Sequence, residues 1–155
     1  MLTRISYILI LFFCFSTTLF SQNINLIIQV NDKLVIDGIS SIYLKFGSGS
    51  NEKRIPVNYV PGDLIITSEA WNQINSDTAA TFSLNFDYST SNKQKQQITN
   101  FYAALTRYKL TRPYLILNIY DFRDKKYKHW YQWHTDKEFL AELRFPNSGL
   151  YIRKK

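Results

Sequence analysis

The chain has 155 residues, 45% of them hydrophobic and 16% aromatic, with a formal net charge of +7 and a single cysteine. So many apolar and aromatic side chains, with only 5 Gly and 4 Pro, exclude a disordered or collagen-like chain. One cysteine excludes a disulfide framework.

The first residues have the layout of a secretory leader. Arg4 gives a positive start, Ile5 to Phe15 carry no charge, and Ser16, Thr17 and Thr18 raise the polarity ahead of Ser21-Gln22. From Ile5 to Phe20 is 16 residues, short of the roughly 20 that a spanning helix needs. The expected cut follows Ser21, giving a signal peptide over 1–21 and a single domain over 22–155. Cys14 lies between Phe13 and Phe15 inside the apolar run and leaves with it. The mature chain then has 134 residues, no cysteine and a charge of +6, because Arg4 goes with the leader. It is long enough to bury a core without staples.

Beyond the leader, period-two alternation dominates. Ile24, Leu26, Ile28 and Val30 mark one face of a first strand, Asn31-Asp32 a turn, and Lys33 to Asp37 a return arm. Asp37-Gly38 breaks the chain before Ile42, Leu44 and Phe46, which oppose Tyr43 and Lys45. After the loop GSGSN at 47–51, Ile55, Val57 and Tyr59 alternate up to Pro61-Gly62, and Leu64 to Thr67 form a short strand. Ser68 to Ile74 break the alternation. Ser68 is a candidate cap, Glu69 suits a first turn, and Trp71 and Ile74 share one face of a short helix.

Phe82, Leu84, Phe86 and Tyr88 then face one way along a half-buried strand. Ser89 to Lys93 read as a polar loop. Gln96 to Leu105 fit either period, and the strand is favoured because a short link and a strongly strand-like run follow. That run, Tyr114 to Tyr120, is apolar on both faces apart from Asn118 and is expected to be central. Phe139, Ala141, Leu143 and Phe145 alternate with Leu140, Glu142 and Arg144, and a turn at 146–149 leads into a last strand from Leu150 to Arg153.

The expectation is a single antiparallel β-sandwich of about 8–10 short strands with one short helix. Most runs span five to seven residues, below the about 9–11 of a membrane barrel strand.

The stretch HWYQWH, 129–134, holds both histidines and two of the three tryptophans. Read as a strand, it places Tyr127, His129, Tyr131 and Trp133 on a core-facing side. Lys128, Trp130, Gln132 and His134 then face solvent as a candidate ligand-binding surface: a flat aromatic ring beside polar groups. The two histidines fall on opposite faces, and no HxH or HExxH spacing exists, so no metal site is assigned. No GxSxG, SxxK or glycine-rich phosphate loop is present, and the carboxylate pairs Asp121/Asp124 and Asp136/Glu138 fall in turns. No catalytic residue and no cofactor is assigned.

Basic side chains cluster at Arg123, Lys125, Lys126 and Lys128, and again at Arg153, Lys154 and Lys155. For an exported protein these favour an anionic envelope component, an acidic polysaccharide or an acidic protein partner over nucleic acid.

The segment YLILNIYDFRDKKYKHWY continuing to Glu142, with Phe86-Asp87-Tyr88 and a leader ending Phe20-Ser21-Gln22, resembles a group of small exported proteins of the Bacteroidetes type. The resemblance covers about half of the mature chain. It implies export to the periplasm or cell surface and an all-β domain, and it brings no functional residue. Together these readings point to an exported, non-enzymatic binding or envelope-associated module, not integral to the membrane once the leader is cut. The alternatives are an accessory subunit pairing through a strand edge, or an enzyme whose site converges from several loops.

Overall fold

A computed structural model describes residues 21–47, 49–77, 81–92, 95–131 and 136–148. The expected leader up to Phe20, Gln132, Trp133, His134 and the expected last strand lie outside these residues. Among the described residues ten strands form two sheets, joined by three short α-helices.

The first sheet contains β1 (Gln22–Val30), β2 (Lys33–Leu34), β5 (Asn58–Val60), β6 (Gly62–Ile66), β9 (Leu115–Asp121) and β10 (Phe139–Arg144). Its order is β10-β9-β1-β6-β5, with β2 paired to the end of β1. The second runs β4 (Lys53–Pro56), β3 (Ile39–Phe46), β7 (Thr81–Asn92), β8 (Lys95–Thr106). The helices are α1 (Ser68–Ser76), α2 (Arg107–Leu110) and α3 (Lys125–Trp130).

The alternation sorts side chains as expected. Ile24, Leu26, Ile28 and Val30 point inward to meet Leu115, Leu117 and Ile119 from β9 and Leu64 and Ile66 from β6. From the other sheet come Leu44, Phe46, Phe82, Leu84, Phe86, Phe101 and Leu105. Phe46 and Phe82 stack at 4.6 Å. The two sheets approach along both margins. On one side the chain passes directly from β4 into β5, and on the other Phe139 of β10 meets Phe101 of β8 edge-on at 5.0 Å. The α1 helix covers part of the core with Ala70 and Ile74.

Several expectations need correcting. The sandwich is not purely antiparallel, because β1 and β9 pair in parallel, Leu26 opposite Leu115 through Val30 opposite Ile119. That pairing sets the buried faces of β1 and β9 side by side at the sheet centre, where parallel strands are usually found. Three helices replace the single one expected. Residues 89–92 are not a loop but the end of β7, in register with β8 as far as Asn92 opposite Lys95. Both β7 and β8 therefore reach 12 residues, longer than the runs expected. Residues 96–105 are strand, as favoured. The cap of α1 is Thr67, whose hydroxyl accepts from the Ala70 amide at 3.2 Å, one residue before the Ser68 expected.

The turn after β1 matters for the site. Asn31 and Asp32 both have positive φ, 53° and 60°, which makes a tight two-residue hairpin between Val30 and Lys33. The Asn31 side-chain oxygen accepts from the Asp121 amide at 2.8 Å, tying the turn to the end of β9. The segment that leaves β9 thus starts from a fixed point.

Candidate functional site

Beyond Asp121 the chain turns and forms α3. Asp124 caps it, its carboxylate accepting from the Lys126 amide at 2.9 Å. The expected strand through 127–134 is therefore wrong for its first half: residues 125–130 are helical. The helix forms because the Tyr127 and Tyr131 spacing of four places both rings on one side, over an apolar patch on the outer face of the first sheet. There Tyr120, Phe122 and Leu140 complete a second core. Tyr131 lies 4.7 Å from Tyr120, and Tyr127 5.8 Å from it. This second core explains why β9 is apolar on both sides.

The helix splits the expected surface. Lys128 is exposed and lines a cleft. Trp130 is half-buried against the second core, edge-on to Tyr127 at 5.4 Å, with the Lys126 ammonium 4.3 Å from its ring centre. Gln132 and His134 lie outside the described residues, and His129 is exposed on the helix.

The cleft encloses about 750 Å³. One wall is the outer end of β8, with Ile98, Thr99 and Asn100; the other is Arg123, Lys125 and Lys128. Phe122 and Tyr131 also line it, and Lys137 and Glu138 enter it from the approach to β10. Lys125 and Lys128 are three apart and share a helix face. The Arg123 guanidinium is clamped by Asp121, its Nε 2.9 Å from both carboxylate oxygens and its Nη2 on Oδ2, so much of its charge is met locally. Among the described residues Lys125, Lys128 and Lys137 form no ion pair. Three ammonium groups thus face one carboxylate, Glu138, across an open cleft, and their field favours an anion. The described lining contains no histidine, cysteine or serine.

Arg123, Lys125 and Lys128 are legible in the sequence as a basic cluster, though not as part of a helix, and Lys137 is not legible as a member of the site. Asp124 ahead of Lys125, with tyrosines four apart, was the available sign of the helix. Nothing local marks Lys137, which reaches the cleft only because β10 pairs with β9.

Behind the cleft the tyrosines are held protonated. Burial and a hydrogen bond shared with Tyr131 push the Tyr120 phenol up, and burial pushes Tyr131 up as well. Tyr127 donates to Asp32 at 2.9 Å; burial and that carboxylate push its pKa up to about 12. A folded pKa above the unfolded one means the native state holds this proton more tightly. The stabilisation is complete below about pH 10 and fades as pH climbs towards about 12. Urea midpoints measured from pH 8 to 12 are therefore expected to fall above pH 10, and to fall less steeply in Tyr127→Phe. At neutral pH that variant is expected to lose about 0.5–1.5 kcal/mol, because Asp32 lies on an exposed turn and rehydrates. An unchanged alkaline slope would remove Tyr127 as a contributor.

Comparison with protein-family models, with curated proteins and with solved structures returns no match. Among the described residues no three His, Cys, Asp or Glu side chains are grouped to hold a metal ion, and no helix is long and apolar enough to cross a membrane.

Proposed function

We propose that the mature chain is an exported, non-enzymatic binding module of the cell envelope that takes an anionic ligand in the cleft between β8 and α3. The observation that carries this reading is the convergence of Lys125, Lys128 and Lys137, none in an ion pair among the described residues, on a cleft of about 750 Å³. Export is supported by the leader-like N-terminus. The resemblance to small exported proteins of the Bacteroidetes type agrees with that compartment.

The test is co-sedimentation of the mature protein with envelope fractions at low and high salt. Pelleting is expected at low salt and to be lost at high salt, because exposed charges are screened. The double reversal Lys125→Glu/Lys128→Glu is expected to cut low-salt pelleting at least ten-fold, while Lys33→Glu, on the hairpin turn, changes it little. No pelleting by the native protein, or equal loss in the Lys33 variant, would sink the reading.

A second reading has one observation in its favour. Strand β8 is the edge of its sheet over 12 residues and exposes Ile98 and Tyr102. Such an edge is able to accept another strand, and a molecular mass that grows with concentration would mark it.

A further inference from the structure

We infer that the anionic ligand is a carbohydrate, an acidic oligosaccharide chain that runs out of the cleft onto a tyrosine platform on the outer face of the second sheet. The inference rests on the reading of the cleft as an anion site and adds a second subsite to it. A groove of about 720 Å³ lies across that outer face. Asn100 and Lys137 line both the groove and the cleft, so the two depressions meet there.

The platform is built by register. Tyr43 of β3 is opposite Asn85 of β7, and Asn85 is opposite Tyr102 of β8, so the three share one row across the sheet. Two strand steps separate the tyrosines by roughly 10 Å, the scale of a disaccharide; Tyr43 is half-buried with the Arg54 guanidinium 5.1 Å from its ring centre, so Tyr102 offers the more open ring. Tyr102 is 56% exposed, yet its ring is set at 79° to Phe139 at 5.1 Å, which fixes its pitch. Between and beside the rings are amides already oriented by neighbours. The Asn85 side-chain N–H donates to Ser83 Oγ at 2.8 Å, and Asn100 donates to Asp87 at 2.9 Å. Asn85 itself is only 6% exposed, so of the two amides it is the exposed Asn100 whose oxygen is placed to accept from a ligand hydroxyl.

This is the chemistry of a sugar: weakly polar C–H faces for aromatic rings, hydroxyls for amides and carboxylates, and a carboxylate or sulfate for the lysines. A lipid headgroup or free phosphate would use the lysines and have no use for the tyrosine row.

Calorimetric titration of the mature protein tests this with four acidic hexasaccharides (galacturonate, alginate, chondroitin sulfate and heparin), with inorganic tripolyphosphate, and with phosphatidylglycerol vesicles. At least one glycan is expected to bind more tightly than tripolyphosphate. Tyr102→Ala is expected to weaken that glycan at least ten-fold and leave tripolyphosphate unchanged, while Tyr102→Phe keeps most of the affinity. Lys125→Glu/Lys128→Glu is expected to weaken both. If tripolyphosphate or vesicles bind through the lysines and no glycan responds to Tyr102→Ala, the carbohydrate inference is overturned and the anion cleft stands. If no anion binds at all, the cleft reading fails and takes this inference with it.

Discussion

Replacing Phe101 by alanine is expected to lower the free energy of unfolding by about 3–5 kcal/mol, the range for removing a fully buried aromatic ring. Phe101 has no exposed surface. Its ring lies 5.9 Å from Phe86 and 6.3 Å from Tyr88 within its own sheet, and 5.0 Å from Phe139 of the other. It therefore holds together the margin where β8 and β10 approach without pairing. Strands on either side are hydrogen-bonded within their own sheets and cannot simply slide inward to fill the space. No disulfide within 22–155 limits the damage, since the only cysteine is Cys14. Urea unfolding of the alanine variant beside Phe101→Leu would check this, with leucine expected to recover more than half of the loss. A loss below about 1 kcal/mol in the alanine variant would mean the margin collapses onto the cavity.

Much of the fold is legible in the sequence because burial in a sheet alternates. Every inward residue of β1, and Phe82, Leu84 and Phe86 of β7, was identifiable from spacing alone. What alternation reports is which face is buried, not which strand lies alongside. The parallel pairing of β1 with β9 was invisible for that reason. The apolar character of β9 on both sides was visible, but its cause was not: the outer side is buried by α3, a helix whose residues alternate well enough to pass for a strand. Tyr127, His129, Tyr131 and Trp133 satisfy period two, while Tyr127 and Tyr131 also satisfy a step of four, and only the cap at Asp124 separates the readings. The tyrosine platform was hidden differently. Tyr43 is legible as an outward residue, whereas Tyr102 lies in a stretch that fits either period, and the two meet in one row only through the registers of β3, β7 and β8.

Glu142 carries the second large expected effect. It lies on the outer face of the first sheet beside the second core and is only 5% exposed. Its Oε2 accepts from Arg144 at 2.7 Å and from the Tyr120 hydroxyl at 3.2 Å, with the Asn118 amide nitrogen at 3.5 Å. Glu142→Ala is expected to cost about 3 kcal/mol, because breaking a buried ion pair from one side strands the groups that faced it. The Arg144 side chain is 39% exposed and partly rehydrates, whereas Tyr120 and Asn118 are buried and do not. Glu142→Gln keeps an acceptor for the phenol and is expected to cost about half as much, near the value of a single charge-assisted bond of roughly 1.5 kcal/mol. The upward push on Tyr120 weakens in both variants but survives, since burial is its first cause. Converting Glu142 and Arg144 together to methionine removes both charges and is expected to recover most of the stability lost by Glu142→Ala. A double-mutant cycle over Glu142→Ala and Arg144→Ala would measure the coupling. Additivity within about 0.5 kcal/mol would show that the pair acts as two separate side chains and that the cost lies outside the Arg144 contact.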